Sequence, residues 1–207
     1  AGRDEPLAVR SENSFPTGCG IASSAAEIAA LARAAATAYG LEVDARELSR
    51  LARRGSGSAS RSIYGGFVEL HDGPTHAEAF SEPLAPASHW PELRDLVAVV
   101  STGHKAITSA EGHRLAHTSE MLPGRLRGVA RRAEQVRHAI ETRDIAALGE
   151  AAEADALSMH AVMMTSRPPL LYWHAETLRA VEFVWTLRRD GVAAWFTIDA
   201  GPNVHIL

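Results

Sequence analysis

The sequence lacks the features that mark several large classes of protein. Its 207 residues include one cysteine, Cys19, which excludes an internal disulfide and fits a reducing cytoplasm. The longest apolar runs, such as Leu96 to Val100, are far too short to span a bilayer. The formal net charge is −4 and the basic residues are scattered, so nothing points to a nucleic-acid partner. We therefore expect a cytoplasmic protein without a membrane or nucleic-acid partner.

Other sequence markers are also missing. The N-terminal stretch "AGRDEPLAVR" is charged and lacks the apolar segment of a signal peptide. No internal repeat or low-complexity tract occurs. The composition is that of an ordinary globular protein, with 46% hydrophobic and 22% charged residues. A chain of this length can bury a real core, either as one large domain or as two small ones.

Hydrophobic spacing and capping residues predict the secondary structure. Asp44 and Glu47 form a D-x-x-E capping box that opens a helix, and Pro168 with Pro169 must break one. Strands combined with runs of helices indicate an α+β fold, with a division near residue 90. Another helix is predicted to start near Ser23 or Ser24, and four more to span residues 109–121, 123–142, 144–160 and 175–189. The predicted strands are 63–70, 75–80, a buried one at 95–101, and 192–198, with a proline-rich connection at 83–91.

The stretch "PTGCGIASSA" is the first candidate binding site. Gly18 and Gly20 allow close backbone approach, and Ser23 and Ser24 stand where a helix begins. Unpaired N–H groups and a partial positive charge at a helix N-terminus suit a phosphate. No G-K-[ST] follows, so this is not a Walker A motif, and a plain capped helix is the alternative.

The stretch "RRGSGSASRSIYGGF" could be a flexible linker or a ligand-binding loop. Its serines supply hydroxyl donors, and Arg61 could grip a carboxylate or phosphate through two parallel hydrogen bonds. It lies between a capped helix and an apolar strand only about eight residues away, so a structured loop is favoured over a flexible linker.

The stretch "TIDAGPN" places Asp199 at the end of an apolar strand, before a tight turn. A carboxylate at a strand end can orient or deprotonate a hydroxyl, although an Asp that caps its own turn is the common alternative. Four other features have simpler interpretations. His113 and His117 have the spacing of two metal ligands on a helix, but there is no third ligand nearby. Lys105 could reach a phosphate, although an exposed lysine is the simpler interpretation. Cys19 is predicted to be a small buried residue that fills space. A solvated helix face is predicted for the arginines at 125, 127, 131, 132 and 137.

Together these segments resemble the decarboxylases of the mevalonate pathway, which act on mevalonate diphosphate or phosphomevalonate and belong to the GHMP kinase superfamily. The resemblance rests on "NSFPTGCGIASSA", "LARRGSGSASRSIYGGF", the region from Lys105 to Ser119, and "FTIDAGPN", in the family's order. It implies a two-lobed α+β GHMP-kinase-like fold. The N-terminal lobe, residues 1–90, would resemble domain 2 of ribosomal protein S5, and the C-terminal lobe, residues 91–207, would be ferredoxin-like.

The resemblance also implies an activity and its cofactors. The family uses ATP with Mg²⁺ to phosphorylate the 3-hydroxyl of a 5-phosphorylated mevalonate, and loss of that phosphate drives decarboxylation to an isopentenyl product. Homodimers are usual in the family. The style of "MHAVMMTSRPPLLYW" resembles prokaryotic phosphomevalonate enzymes, which favours the monophosphate substrate.

Roles follow for individual residues by their position in the matching motifs. Asp199 resembles the catalytic aspartate beside the 3-hydroxyl, and Arg61 the arginine that binds the carboxylate. Ser24 is the residue expected at Mg²⁺. The remaining substrate-binding residues are expected to be Ser56, Ser58 and Ser109, and the ATP-binding residues Pro16, Gly18, Gly20, Ser23, Ser24 and Lys105.

The chain also departs from the family pattern. The family has two lysines where this chain has His104 and Lys105, and "GCG" replaces a more usual pair of small residues. The chain starts about a third of the way along the family and stops before its last elements. We therefore expect a fragment that lacks an N-terminal lysine and the residues that read the 5-phosphate end.

Two alternatives stay open at this point. A mevalonate 3-kinase would phosphorylate the same hydroxyl without decarboxylation, and it is expected to lack the Asp and Arg pair. A non-catalytic binding fragment is the alternative from a different class of protein.

Overall fold

The computed structural model describes residues 6–103 and 107–207, and these fall into two compact units. The first unit holds the described residues up to Thr17 together with Ala22–His89, and the second holds Gly18–Ile21 with Trp90–Leu207. Each unit combines helices with a small antiparallel sheet, which confirms the α+β prediction. No helix within the described ranges has the length and apolar character that crossing a membrane requires.

The first unit contains two α-helices, a hairpin, a longer 3₁₀ helix and a short one at Ala87–His89. Their bounds are α1 Ser23–Ala38, α2 Ala45–Gly55, the 3₁₀ helix Gly57–Ile63, β1 Phe67–His71 and β2 Phe80–Ala85. Asp44 caps α2 as predicted, because its carboxylate accepts a hydrogen bond from the Glu47 backbone N–H at 2.7 Å. A small core of Ala29, Ala52 and Ala59 packs α1, α2 and the longer 3₁₀ helix together.

The hairpin differs from its prediction in both strands. The first strand starts at Phe67 because the residues up to Ile63 form the 3₁₀ helix. Residues 75–79 form a turn, in which the N–H groups of Glu78 and Ala79 donate to the Thr75 carbonyl, so the second strand starts at Phe80. That strand includes Pro83, which the sequence had assigned to a connection; it lies beside a register shift, where a proline is tolerated.

The second unit packs four α-helices with a three-stranded sheet of order β3-β5-β4. The apolar core includes Val181 and Val184 of the last helix and Phe196, Ile198 and Val204 of the sheet region. Bounds are β3 Leu96–Ala98, α3 Ser109–Ala116, α4 Leu122–Thr142, α5 Ile145–Met164, α6 Ala175–Arg189, β4 Phe196–Thr197 and β5 Val204–Ile206.

Two predictions for this unit are wrong, and one strand was missed. The strand at 95–101 is not buried: β3 has three residues and pairs only with β5 among the described strands, so Leu96 is 66% exposed. Helix α3 ends at Ala116 rather than at Met121, because the N–H groups of Thr118 and Ser119 donate to the carbonyls of Leu115 and Ala116 and form a turn. Strand β5, the central strand of the sheet, was not predicted at all.

The arginines of α4 do not all form a solvated face, as the sequence had predicted. Arg125 makes two hydrogen bonds to the Asp155 carboxylate of α5, and the Nε of Arg132 donates to the same carboxylate at 2.9 Å. Arg132 is buried. The sequence did not reveal this because Asp155 lies 23 residues or more from both arginines.

Candidate functional site

The first turn of α1 is a candidate anion site in the first unit. The helix starts at Ser23, as predicted, and its N-cap residue Ala22 makes no side-chain capping hydrogen bond. The first turn contains no acidic side chain, and the Ser24 side chain is exposed. The helix dipole and the lack of a side-chain cap therefore suit a bound phosphate, with the Ser24 hydroxyl oxygen beside it.

The glycine- and serine-rich stretch is anchored rather than flexible. Ser49, Ser60 and Ser81 are fully buried and linked in a chain of hydrogen bonds. The Ser81 N–H donates to the Ser49 hydroxyl at 2.9 Å, the Ser81 hydroxyl donates to the Ser60 hydroxyl at 2.8 Å, and Ser60 donates to the Gly57 carbonyl at 2.8 Å. The network ties the 3₁₀ helix to α2 and β2. The sequence did not reveal Ser49 or Ser81 because they lie outside this stretch, in α2 and β2.

The predicted ligand residues of this stretch remain accessible. Ser56 and Ser58 are half-buried, and their hydroxyl oxygens lie 3.2 Å apart. Arg61 is exposed, and no side-chain hydrogen bond or ion pair holds it within the described residues. Nearby, α1 and the 3₁₀ helix border a cavity of about 320 Å³ lined by Ala26, Ala29, Ala30, Arg33, Ser62 and Ile63. The stretch can therefore present two hydroxyls and a free guanidinium on a fixed backbone.

In the second unit, the glycine segment lies against the turn that follows Asp199. A Cβ atom placed on Gly20 would lie 2.6 Å from the Gly201 Cα, and one on Gly201 would lie 2.7 Å from the Cys19 carbonyl oxygen. Gly20 also has a φ of +86°, which only glycine adopts readily. Cys19 is buried as a small filler, as predicted. The close backbone contact between Gly20 and Gly201 therefore requires glycine at both positions.

Asp199 is exposed and lies just after β4, a strand that hydrogen bonds hold in place on its buried side. Glu153 of α5 accepts two hydrogen bonds from Arg188 of α6, at 2.8 and 3.1 Å, and a third from the Phe196 N–H at 3.2 Å. The Gly201 N–H donates to the Asp199 carbonyl at 2.7 Å and closes the turn. The carboxylate thus extends from a rigid support, and it makes no hydrogen bond within the described part of the chain.

His160 lies behind the same strand. Its side chain is 1% exposed, and its Nε2 lies 3.3 Å from the Ile198 carbonyl oxygen. A carbonyl can only accept, so Nε2 carries the proton, and the buried Nδ1 has no partner among the described residues. Burial lowers the pKa of His160 to about 4, against the hydrogen bonds to the backbone of Ile198 and Asp199 that raise it. The ring is therefore neutral at pH 7.

The lowered pKa predicts an acid-sensitive fold. The unfolded chain binds a proton at His160 below about pH 6.5 and the folded chain only near pH 4, so stability falls as the pH drops through this range. We expect the His160 contribution to unfolding free energy to drop by about 2 kcal/mol between pH 6.5 and 4.5. Urea unfolding of the wild type and of His160→Gln, which keeps an N–H donor but does not titrate, measures this difference. An equal pH slope in both proteins would contradict it.

His205 of β5 contributes with the opposite sign. Its hydrogen bond to Asp95 raises its pKa, burial opposes this, and the charges of Asp95 and Asp199 add to the rise. Its stabilising contribution is complete below the pKa of the unfolded chain and is lost as the pH rises through its raised value. The His160→Gln comparison removes His205 from consideration because both proteins contain it.

Of the remaining predicted site residues, some lie in the first unit, some in the second, and one outside the described residues. Ser109 is half-buried at the start of α3, where the Thr108 hydroxyl caps the helix by accepting from the Glu111 N–H. Pro16 is exposed in the first unit, and Gly18 belongs to the second unit with a φ of +69°. Lys105 lies outside the described residues. Within the described ranges, no group of three or more His, Cys, Asp or Glu side chains could hold a metal ion.

Two models of protein families match consecutive parts of the chain. Residues 1–81 match the diphosphomevalonate decarboxylase-like N-terminal domain, and residues 95–207 match the mevalonate 5-diphosphate decarboxylase C-terminal domain. Among curated relatives, the diphosphomevalonate decarboxylase of Aspergillus fumigatus is 41% identical, with 97% of this chain and 51% of the relative aligned. The human diphosphomevalonate decarboxylase is 42% identical, with 96% of this chain and 50% of the relative aligned.

Solved structures give the same result. The structure of MDDEF in complex with MVAPP, AMPPCP and magnesium has a TM-score of 0.87 at 43% identity, covering 93% of this chain and 59% of that one. A mevalonate diphosphate decarboxylase from Enterococcus faecalis has a TM-score of 0.82 at 40% identity, covering 93% of this chain and 58% of that one. The chain therefore spans about half the length of the curated relatives it matches. It belongs to the mevalonate 5-diphosphate decarboxylase family, within the GHMP kinase superfamily.

Proposed function

We propose that the protein containing this chain catalyses ATP-dependent decarboxylation of mevalonate 5-diphosphate to isopentenyl diphosphate. The observation that carries the proposal is Asp199, an exposed carboxylate on a fixed strand end beside the glycine segment, in a chain of this family. Every relative compared above is named for the diphosphate. These names weigh against the monophosphate substrate that the style of the sequence had favoured.

The reaction divides into two steps that share Asp199. In the first, the carboxylate orients the 3-hydroxyl and accepts its proton while the oxygen takes the γ-phosphoryl group of ATP, releasing ADP. In the second, the C3–O bond breaks and the phosphate leaves with its electron pair. The electrons of the C1–C2 bond then form the C2=C3 double bond, and C1 leaves as CO₂. Asp199 is exposed and releases the accepted proton to solvent before this step, so its carboxylate is negative again and stabilises the positive charge that develops at C3.

Arg61, Ser56 and Ser58 are proposed to hold the substrate. The free, exposed guanidinium of Arg61 can bind the C1 carboxylate through two parallel hydrogen bonds and hold it in the geometry for CO₂ loss. The paired hydroxyls of Ser56 and Ser58 suit the phosphate end. Ser109 is proposed to bind substrate as well.

The segment of Gly18 and Gly20, followed by the start of α1, is proposed to bind the phosphates of ATP. The N-cap residue Ala22 makes no side-chain capping hydrogen bond and the first turn of α1 has no acidic side chain, which favours an anion there. Pro16 would shape the segment, Ser23 would contact the phosphates, and Lys105 would supply a further positive charge. AMPPCP, an ATP analogue, is present in the complex of MDDEF.

The donor set fits Mg²⁺ that arrives with the nucleotide. Mg²⁺ prefers hard oxygen ligands and often keeps several waters, with substrate phosphates providing others. The exposed Ser24 hydroxyl in the first turn of α1 is one such oxygen. When bound, Mg²⁺ would neutralise charge on the phosphate oxygens. Ser24 would contribute to holding it there.

The domain division is proposed at residues 1–90 and 91–207. The match to the first family model ends at residue 81 and the match to the second starts at residue 95, which supports this division. The glycine segment Gly18–Ile21 groups with the second unit, so the chain crosses between the units early. A homodimer and a cytoplasmic location stay predictions.

A panel of substrates tests the proposal against its alternatives. The whole protein that contains this chain is incubated with ATP, Mg²⁺ and mevalonate, its 5-phosphate or its 5-diphosphate, while ADP and CO₂ are measured together. We expect both products, with the diphosphate preferred. ADP and a phosphorylated product without CO₂ would indicate a 3-kinase, and no ATP turnover with any substrate would favour a binding fragment.

The proposed role of Arg61 predicts a strong effect of a conservative change. Arg61→Lys keeps the positive charge but loses the planar pair of donors, so we expect kcat/KM for CO₂ release to fall by about 10²-fold or more. Arg54→Lys, at an exposed position near the end of α2, is the matched control and should retain normal turnover. Equal kcat/KM for Arg61→Lys and the wild type would remove Arg61 from the substrate site.

A further inference from the structure

Asn203 is a fully buried side chain four residues after Asp199. Its Oδ1 accepts hydrogen bonds from the backbone N–H groups of Val100 at 2.7 Å and Ser101 at 3.0 Å. Its Nδ2 donates to the carbonyl oxygens of Cys19 at 2.8 Å and Ser101 at 3.0 Å. One amide thus joins three segments of the second unit: the glycine segment, the residues after β3, and the turn after Asp199.

The partners fix the orientation of this amide. Two of them are N–H donors and two are carbonyl acceptors, so only one placement of Oδ1 and Nδ2 satisfies all four bonds. An asparagine that merely shapes its own turn bonds to backbone groups two residues away. The partners of Asn203 lie 102 to 184 residues away, so the side chain acts between segments.

The bond to Cys19 falls where the backbone approach is closest. Gly20 and Gly201 are so near that a Cβ on either would overlap the other's Cα, and Cys19 is the residue before Gly20. Glycine at both positions permits the contact, but it supplies no attraction. The hydrogen bond from Asn203 to the Cys19 carbonyl supplies that attraction, because it connects the two segments directly.

We propose that Asn203 is a positioning residue that holds the glycine segment against the Asp199 turn. On this view, the segment that binds the phosphates of the phosphoryl donor keeps a fixed distance from the carboxylate that accepts the hydroxyl proton. The inference rests on the proposed function for the identity of the ligands. The mechanical link itself depends only on the hydrogen bonds and the glycine contact.

The variant Asn203→Asp tests the donor half of the amide separately from the acceptor half. It keeps an oxygen for the N–H groups of Val100 and Ser101, but it places a second acceptor opposite the carbonyls of Cys19 and Ser101. We expect amide hydrogen exchange in residues 18–24 to rise about tenfold or more, because the segment loses its attachment. Affinity for AMPPCP with Mg²⁺ should fall by a similar factor.

Thr177→Val is the matched control. The buried Thr177 hydroxyl donates to the Pro202 carbonyl at 2.7 Å, so this variant weakens the same turn without touching Cys19. It should lower Tm but leave exchange in residues 18–24 and AMPPCP affinity within about twofold of the wild type. If Asn203→Asp does not fold, the uncharged Asn203→Ser, which is too short to reach Cys19, is measured in the same way.

The outcomes separate this inference from the proposed function. Exchange in residues 18–24 that stays at the wild-type rate in a folded Asn203 variant would overturn the inference, whatever the nucleotide does. Equal changes in the Thr177→Val control would also overturn it, since they would reflect general loosening of the turn. A wild-type protein that binds no AMPPCP would count against the proposed function, while the exchange comparison would still decide the role of Asn203.

Discussion

Replacing Asp199 with asparagine is expected to lower kcat for CO₂ release by about 10²- to 10⁴-fold. Asparagine has nearly the same shape, but it cannot accept the hydroxyl proton and carries no charge to stabilise the positive centre at C3. The Asp199 side chain makes no hydrogen bond within the described residues, so the exchange should leave the fold intact. Substrate binding should therefore remain while turnover is lost.

The measurement compares kcat, the Kd of mevalonate 5-diphosphate and Tm for the wild type, Asp199→Asn and a control. Asp190→Asn is the control, because Asp190 is an exposed carboxylate at the end of α6 in the same unit. It should match the wild type in all three quantities. Near-normal turnover by Asp199→Asn would exclude Asp199 from the mechanism, and a large fall in Tm would indicate a structural role.

Replacing Gly201 with alanine is expected to damage both stability and turnover. The new Cβ would lie 2.6 Å from the Gly20 Cα and 2.7 Å from the Cys19 carbonyl oxygen. Both neighbours are backbone atoms, which cannot move aside as a flexible side chain would. Overpacking of this kind costs about 1–3 kcal/mol or more, and here relief requires the glycine segment to move away from the Asp199 turn. We therefore expect a lower Tm and at least about a tenfold loss of kcat/KM.

Gly124→Ala is the matched control for this change. Gly124 lies in α4, and an added Cβ would meet only the end of the flexible Arg127 side chain, at 3.8 Å. Alanine also favours a helix more than glycine does, so this variant should be as stable as the wild type or slightly more so. If Gly201→Ala behaves like Gly124→Ala in Tm and kcat/KM, the close contact between Gly20 and Gly201 is not present in the working enzyme.

The elements predicted correctly are those with local signals. Helix α6 spans Ala175–Arg189 as predicted, because its apolar spacing is regular and Asp190 with Gly191 follows it. Helix α1 starts at Ser23, and Asp44 caps α2, since both depend on residues within one turn. The family motifs were also readable, because each is a continuous stretch of sequence.

The features that were missed depend on contacts between distant residues. The serine network joins Ser49, Ser60 and Ser81, and Ser81 of β2 bonds to one serine in α2 and to another in the 3₁₀ helix. Asn203 was visible only as part of a turn motif, because its partner Cys19 is 184 residues away. Strand β5 has three residues, too few for an alternating pattern to be recognised, although it pairs with both other strands of its sheet.

The proposed function is decarboxylation driven by phosphorylation of the 3-hydroxyl, carried out by the protein that contains this chain. The most direct test uses mevalonate 5-diphosphate labelled at C1, with ATP, Mg²⁺ and the whole protein that contains this chain. ADP, inorganic phosphate and labelled CO₂ are measured in the same reaction. The mechanism predicts that the three products form in equal amounts and that none forms without ATP. ADP that accumulates while the label stays in the organic product would contradict it.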